Sequence, residues 1–314
     1  MESATPPASP PPPPPHPPSR GAPATVAALR GRLHFGTSGW DYPDWVGPFY
    51  APDTPKKAFL ERYAQRFASV EIDSTFYRMP TRKTVAGWVA RTPPGFAFCP
   101  KVPQSITHEK LLLNVGEETR AFVDALEAFG DRLGVVVVQL RYFRKAEAIE
   151  PEPFAQRLAA FLELFPKSMR VALEVRNKAL WSKPVLDALR AGGRGLVWID
   201  HPWMDGPERV AARVDLAPAP FSYLRLLGDR EAIERRTTSW GEVVVDQSAR
   251  LVQWATLLAA TLEAGRDVWV YANNHYAGHG PATIEELIER VRARMGGELP
   301  TGPAPGSAAP LAGG

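Results

Sequence analysis

The chain has 314 residues, 45% hydrophobic and 23% charged, which is the composition of a globular protein and too apolar for an extended, charge-rich one. A formal net charge of +3, from 37 Lys/Arg against 34 Asp/Glu, is too mild a surplus to argue for a nucleic-acid binder. One cysteine, Cys99, excludes an internal disulfide and fits a reducing compartment.

Proline is in excess at 33 residues, and it is concentrated at the start, where Pro10–Pro15 runs unbroken. Residues 1–30 therefore read as a disordered, Pro-rich tail with little apolar side chain to bury. Residues 298–314, rich in Gly, Pro and Ala, read as a second loose tail. Between them, 31–297 has the length of one α/β barrel domain. The N-terminus lacks the basic start and apolar run of a signal peptide, and no stretch reaches the ~18 apolar residues of a membrane span. The sequence thus predicts a cytoplasmic protein without a membrane contact.

Eight short apolar runs follow one another along this core: Leu33–Gly36, Ser69–Ile72, Ala97–Lys101, Val135–Leu140, Val171–Val175, Leu196–Asp200, Tyr223–Leu227 and Val268–Tyr271. Several are continuous in Val, Ile and Leu, as strands buried on both faces are. Helical patterns lie between most of them. Thr54 with Pro55 predicts a helix start, leading into Leu60, Tyr63 and Phe67. Glu117–Leu133 and Phe154–Phe165 each carry an apolar stripe. Ser182 and Asp246 are placed to cap two further helices, and Thr283–Met295 closes the set. The crossover between Asp200 and Ser222 has no clean stripe. Strand and helix in eightfold alternation predict a single-domain α/β fold, a (β/α)8 TIM barrel. An open doubly wound sheet would carry a Gly-rich phosphate turn after its first strand, and GTSGWDYPDW at 36–45 is not one.

Barrel active sites form at the C-terminal strand ends, and nearly every end here carries a polar residue. Glu71, Lys101, Gln139, Glu174, Arg176, Arg225, Asn273 and Asn274 occupy them, with His108 in the loop after the third strand. Charges recurring at one end of otherwise apolar strands predict a lined pocket, because each is expensive to bury unpaired. Alternatives stay open for the individual residues. Glu174 and Arg176, two apart on a strand, face one side and could form a structural ion pair. Glu71 could be an acid/base group or a buried partner of Arg225 or Lys101. Asp200 reads as a cap on its following loop. His275 and His279 are four apart but in loop sequence, which favours hydrogen bonding over metal ligation. Trp40 and Tyr77 could stack on a flat substrate, or plug the barrel mouth. Cys99 reads as a small core residue.

Longer motifs carry a family resemblance. GTSGW at 36–40, VEIDSTFYRMP at 70–80, FAFCPKVPQSITH at 96–108, LEVRNKALW at 173–181 and VYANN at 270–274 occur in the order found in DUF72 (YecE-like) proteins, which this chain resembles over its whole core. The resemblance implies a TIM barrel with a shared strand-end pocket and implies no reaction. Two departures concern the pocket rim. The family's Gln-Leu-Pro-Pro after strand four is here Gln139-Leu140-Arg141-Tyr142, and its Arg-x-His-Gly is here Arg225-Leu226-Leu227-Gly228.

Together these readings give three functions to separate. The first is an enzyme of hydrolase or isomerase type acting on a polar, hydroxylated or phosphorylated small molecule. Glu71, Glu174, Lys101 and His108 would be its catalytic groups, and Trp40, Tyr77, Gln139, Arg176, Arg225, Asn273 and Asn274 its substrate-binding ones, with no cofactor or metal. The second is a metal-dependent nucleic-acid-processing barrel resembling endonuclease IV, which would need converging His and carboxylate ligands. The third is a ligand-binding module without catalysis. Carboxylates held ready for chemistry would tolerate Gln substitution with little loss of stability.

Overall fold

A computed structural model describes residues 32–299 apart from 148, 214, 215 and 298; the Pro-rich 1–30 and Gly/Pro/Ala-rich 301–314 segments lie outside the described residues. Among the described residues eight strands are formed: β1 (Leu33–Thr37), β2 (Ser69–Ile72), β3 (Ala97–Pro100), β4 (Val135–Gln139), β5 (Arg170–Glu174), β6 (Gly195–Asp200), β7 (Phe221–Leu226) and β8 (Asp267–Ala272). All pairings are parallel. Six strands make one sheet in the order β1-β8-β7-β6-β5-β4, and β2 with β3 makes a second. Between these sheets, Ser38 bridges Glu71, and Phe98 and Lys101 bridge Leu133 and Val137.

Helices α1 (Phe59–Tyr63), α2 (Ser74–Tyr77), α3 (Arg82–Ala90), α4 (Gly116–Leu126), α5 (Pro151–Leu162), α6 (Lys183–Ala191), α7 (Pro207–Ala211), α8 (Arg230–Glu234), α9 (Ser248–Glu263) and α10 (Gly280–Arg294) fill the crossovers and follow β8. The sequence pattern is met with local differences. Thr54 does not start a helix; Lys56–Ala58 form a 3-10 turn and α1 begins at Phe59. The predicted Glu117–Leu133 helix ends at Leu126, and the 3-10 segment after it is broken by Gly130 at φ 57°. Helix α3 has too weak an apolar stripe to stand out in sequence, but Thr81 caps it by accepting from the Thr84 N–H at 3.1 Å.

Inward-facing positions stack in layers along the strands. Low in the interior, His34 stacks on Trp269 at 3.7 Å. Above them Tyr271 donates to Ser69 Oγ at 2.9 Å and lies 3.2 Å from Cys99 Sγ. The thiol is thus a buried packing group, and burial pushes it up to about 12. The uppermost layer is polar, with Glu71, Glu174 and Arg225 in it. Gly36 sets how closely β1 and β2 approach. A Cβ there would sit 2.1 Å from the Ser69 carbonyl oxygen and 2.6 Å from the Tyr63 hydroxyl, which accepts from the Thr37 N–H. That is a physical reason for the first glycine of GTSGW. Among the described residues, no helix is long and apolar enough to cross a membrane.

Candidate functional site at the strand ends

Two-residue spacing on β2, β5 and β7 turns Glu71, Glu174 and Arg225 to the same interior, and their side chains meet there. Arg225 on β7 is the hub. Its Nε and Nη2 donate to Glu71 Oε1 at 3.1 and 2.8 Å, and its Nη1 donates to Glu174 Oε2 at 2.5 Å and Gln139 Oε1 at 3.0 Å. Glu71 also accepts from Ser38 Oγ at 2.7 Å and Tyr223 OH at 2.9 Å, and Lys101 Nζ lies 3.4 Å away. Glu174 accepts from Arg176 Nε at 3.0 Å through its other oxygen. Lys101 pairs in turn with Asp73, two residues beyond Glu71.

Both glutamates are fully buried, at 0% exposure. Burial alone would raise their pKa, but for Glu71 the opposing pull of Arg225 and Lys101 is stronger and holds the carboxyl at about 2. Glu174 is lowered likewise, burial being outweighed by Arg225 and Arg176. The division of acid and base roles expected for this pair needs two different environments. The structure gives them one shared arginine and a shift in the same direction, so both are anions at neutral pH. Of the alternatives left open in the sequence, the buried ion pairs are the ones formed.

Above this layer opens a cavity of about 220 Å³. Lys101, Gln139, Arg176, Arg225, Asn273 and Tyr77 line it, as do Asp73, Phe76, His201, Arg230 and His275. Several lining donors have hydrogens to spare: among the described residues, the terminal nitrogens of Arg176 and Arg230, the Gln139 amide nitrogen and the Asn273 amide nitrogen make no hydrogen bond. Asp73 is the one carboxylate among the lining residues, with 34% of its side chain exposed. His201 Nδ1 accepts from the Trp203 N–H at 3.3 Å, which leaves the proton of a neutral ring on Nε2. Burial first, then Arg176, lowers the His201 pKa and keeps the ring neutral.

Three candidates stand apart from the cavity. Trp40 lines a separate pocket of about 520 Å³ with Tyr42 and Trp88, on the other side of Asp73. Asn274 is buried and accepts from Gly280 N–H at 2.9 Å and Trp45 Nε1 at 3.3 Å, tying two loops together. His108 sits on a π-helical turn, Ser105–Glu109, behind Phe76, with ring centroids 4.8 Å apart. Burial and then Arg176 lower its pKa to about 4. Asp200 is no loop cap: its carboxylate accepts from Arg250, Trp254 Nε1 and Tyr276 OH, anchoring α9. His275 bonds Asn273 and Glu234, and His279 bonds the Trp240 carbonyl. Among the described residues, no three His, Cys, Asp or Glu side chains are grouped to hold a metal ion.

Asp73, His201 and His275 are strand-end polar residues in the sequence that stayed outside the candidate set, though two carried a further signal. Asp73 follows Glu71 by two and His201 follows Ile199 by two, and Ile199 pairs in register with Arg225. Inward-facing parity therefore marks both.

Parallel strands, helical crossovers and a donor-lined pocket at the C-terminal strand ends define a class of α/β protein whose site is built on strand ends. Within it, the chain belongs to the family described as "Protein of unknown function DUF72", whose profile matches residues 34–307. It is 27% identical over 155 residues to the UPF0759 protein YecE of Escherichia coli (strain K12), covering 48% of this chain and 51% of that protein, so the match spans about half of YecE's length. It is 22% identical over 294 residues to the UPF0759 protein YunF of Bacillus subtilis (strain 168), covering 85% and 98%. Its fold is similar to the crystal structure of a DUF72 family protein from Thermotoga maritima MSB8, with TM-score 0.59, 22% identity and coverage of 84% and 99%.

Proposed function

We propose that this protein is an enzyme of hydrolase or isomerase type, acting on a small hydroxylated or phosphorylated molecule at the C-terminal end of a single-domain (β/α)8 barrel. Barrel closure is supported by the parallel bridges on both sides of the β2-β3 pair, where the Gly39 N–H donates to the Glu71 carbonyl and the Val102 N–H to the Val137 carbonyl. The observation that carries the functional reading is the wall of spare donors. Arg176, Gln139 and Asn273 all offer N–H groups to one cavity, and a ligand rich in acceptor oxygens satisfies them together in place of water. At about 220 Å³ the cavity is below the ~300–1,000 Å³ of sites for drug-sized ligands, so the bound part is small.

In this reading Glu71 and Glu174 do not touch substrate. They hold the Arg225 guanidinium rigid, so the floor of the cavity is a charge-compensated polar layer whose N–H groups are fixed in place and need no rearrangement during reaction. The groups placed to move a proton are Asp73, paired with Lys101, and His201 through Nε2. Screening full-length protein by thermal shift against polyols, monosaccharides and sugar phosphates tests the proposal. At least one compound is expected to raise the midpoint, and the increase should vanish in Arg176→Ala. A panel without any such compound would refute it.

A binding module without catalysis is favoured by one observation: the two deepest carboxylates are consumed by Arg225. Asp73→Asn separates the readings, since it should retain ligand binding in both but remove turnover only from an enzyme.

A further inference from the structure

The most exposed aromatic side chains among the described residues gather on the same rim. Tyr77 is 71% exposed, Trp203 62% and Tyr142 47%. They follow β2, β6 and β4 in sequence, so parallel strands bring all three to the C-terminal end. Two of them continue the pocket outward. The His201 ring, in the pocket wall, lies 4.9 Å from the Trp203 ring, and Trp203 lies 5.8 Å from Tyr142. Three rings in succession thus lead from the cavity mouth across the surface. Tyr77 flanks the opposite side, packed on Phe76 at 5.1 Å. Contiguous exposed apolar surface rimmed by polar residues is the mark of an interaction site.

Charge narrows what that is. Each cation lining the cavity has a carboxylate partner: Lys101 with Asp73, Arg225 with Glu71 and Glu174, Arg176 with Glu174, Arg230 with Glu234. Beside the rim rings, Arg141 pairs with Glu147 and Lys178 with Asp205. Among the side chains that line the cavity a polyphosphate strand finds no uncompensated cation. On the rim the isolated Arg78 and Arg144 make no ion pair among the described residues, short of the continuous positive track on which its affinity depends. A neutral chain with hydroxyl edges and apolar ring faces fits both halves: edges reach the donors inside, and faces lie on the aromatic rings outside.

We infer that the substrate is a neutral oligosaccharide, with one sugar unit in the strand-end cavity and the next units on the His201–Trp203–Tyr142 track. This rests on the strand-end pocket reading and narrows it from any hydroxylated or phosphorylated molecule to a glycan chain. Calorimetric titration of full-length protein with cello-, xylo-, manno-, malto- and chitotetraose, each beside its monosaccharide, tests it. One tetrasaccharide is expected to bind about tenfold tighter than its monosaccharide. That ratio should fall towards one in Trp203→Ala and in Tyr142→Ala, both exposed positions whose loss leaves the core intact. If monosaccharides bind with no gain from chain length, or a sugar phosphate or an oligothymidylate outcompetes every tetrasaccharide, the glycan inference is overturned while the pocket reading survives. If none of the sugars or sugar phosphates binds, both fall.

Discussion

Arg225 and Glu71 form a buried two-point ion pair, Nε and Nη2 of the one converging on Oε1 of the other at 3.1 and 2.8 Å. Glu71 is fully buried and Arg225 nearly so, and the pairing, with Lys101 beside it, holds the Glu71 carboxyl charged against its burial. The polar layer under the cavity is therefore one unit. Its members are read better as a scaffold for the donors above than as separate reagents.

Glu71→Gln should accordingly cost about 3–5 kcal/mol, because it leaves Arg225 with a neutral partner and turns an amide NH2 toward donors. That reverses the tolerance expected if Glu71 were held ready for chemistry. Urea denaturation at neutral pH checks it, and a midpoint at or above that of the unmodified protein would show that the pair is dispensable.

The same pair sets an acid limit. Glu71's folded pKa, about 2, lies below its ordinary value of 4.5, so its stabilising contribution is complete above pH 4.5 and is lost as pH falls through about 2. The stability gap between the unmodified protein and Glu71→Gln should shrink steadily over that window, since a protonated Glu71 resembles the amide. His34 acts in the same sense. Half-buried and stacked on Trp269, and lowered from 6.5 to about 3, it disfavours the fold once acid charges it. Denaturant melts of both proteins from neutral pH downward give the comparison, and a gap independent of pH would contradict the assignment.

Two glycines should respond in opposite directions. Gly36→Ala would place a methyl 2.1 Å from the Ser69 carbonyl, forcing β1 and β2 apart at a cost of ~3 kcal/mol or more. Gly87, inside α3, has open space around its Cβ, and Gly87→Ala should stabilise by ~0.5–1 kcal/mol. Thermal melts distinguish these outcomes, and a harmless Gly36→Ala would remove the close-approach explanation of the GTSGW motif.

Much of this was legible because parallel strands buried on both faces announce themselves. The runs at 135–140 and 171–175 needed only their apolar continuity, and inward-facing parity then brought Glu71, Glu174 and Arg225 to one layer. What stayed hidden depends on distance across the interior. Nothing in the spacing says that one arginine on β7 spans to both glutamates, so whether each carboxylate is a reagent or an ion-pair partner stayed open in the sequence. Trp40 and Asn274 misled for a related reason: their positions at strand ends were right, but the loops after β1 and β8 carry them past the cavity to other contacts. Tyr223, which supports Glu71 from below, looked like any core aromatic.

Where a ligand's oxygens sit decides whether the strand-end donors form a binding site. Crystals soaked with the hydroxylated compound that raises the melting midpoint most should show it in the strand-end cavity. Its oxygens should lie within hydrogen-bond distance of the Arg176 terminal nitrogens and the Gln139 and Asn273 amides, with Glu71 and Glu174 still closed on Arg225. Density for that compound elsewhere on the molecule, with these donors left unengaged, would contradict it.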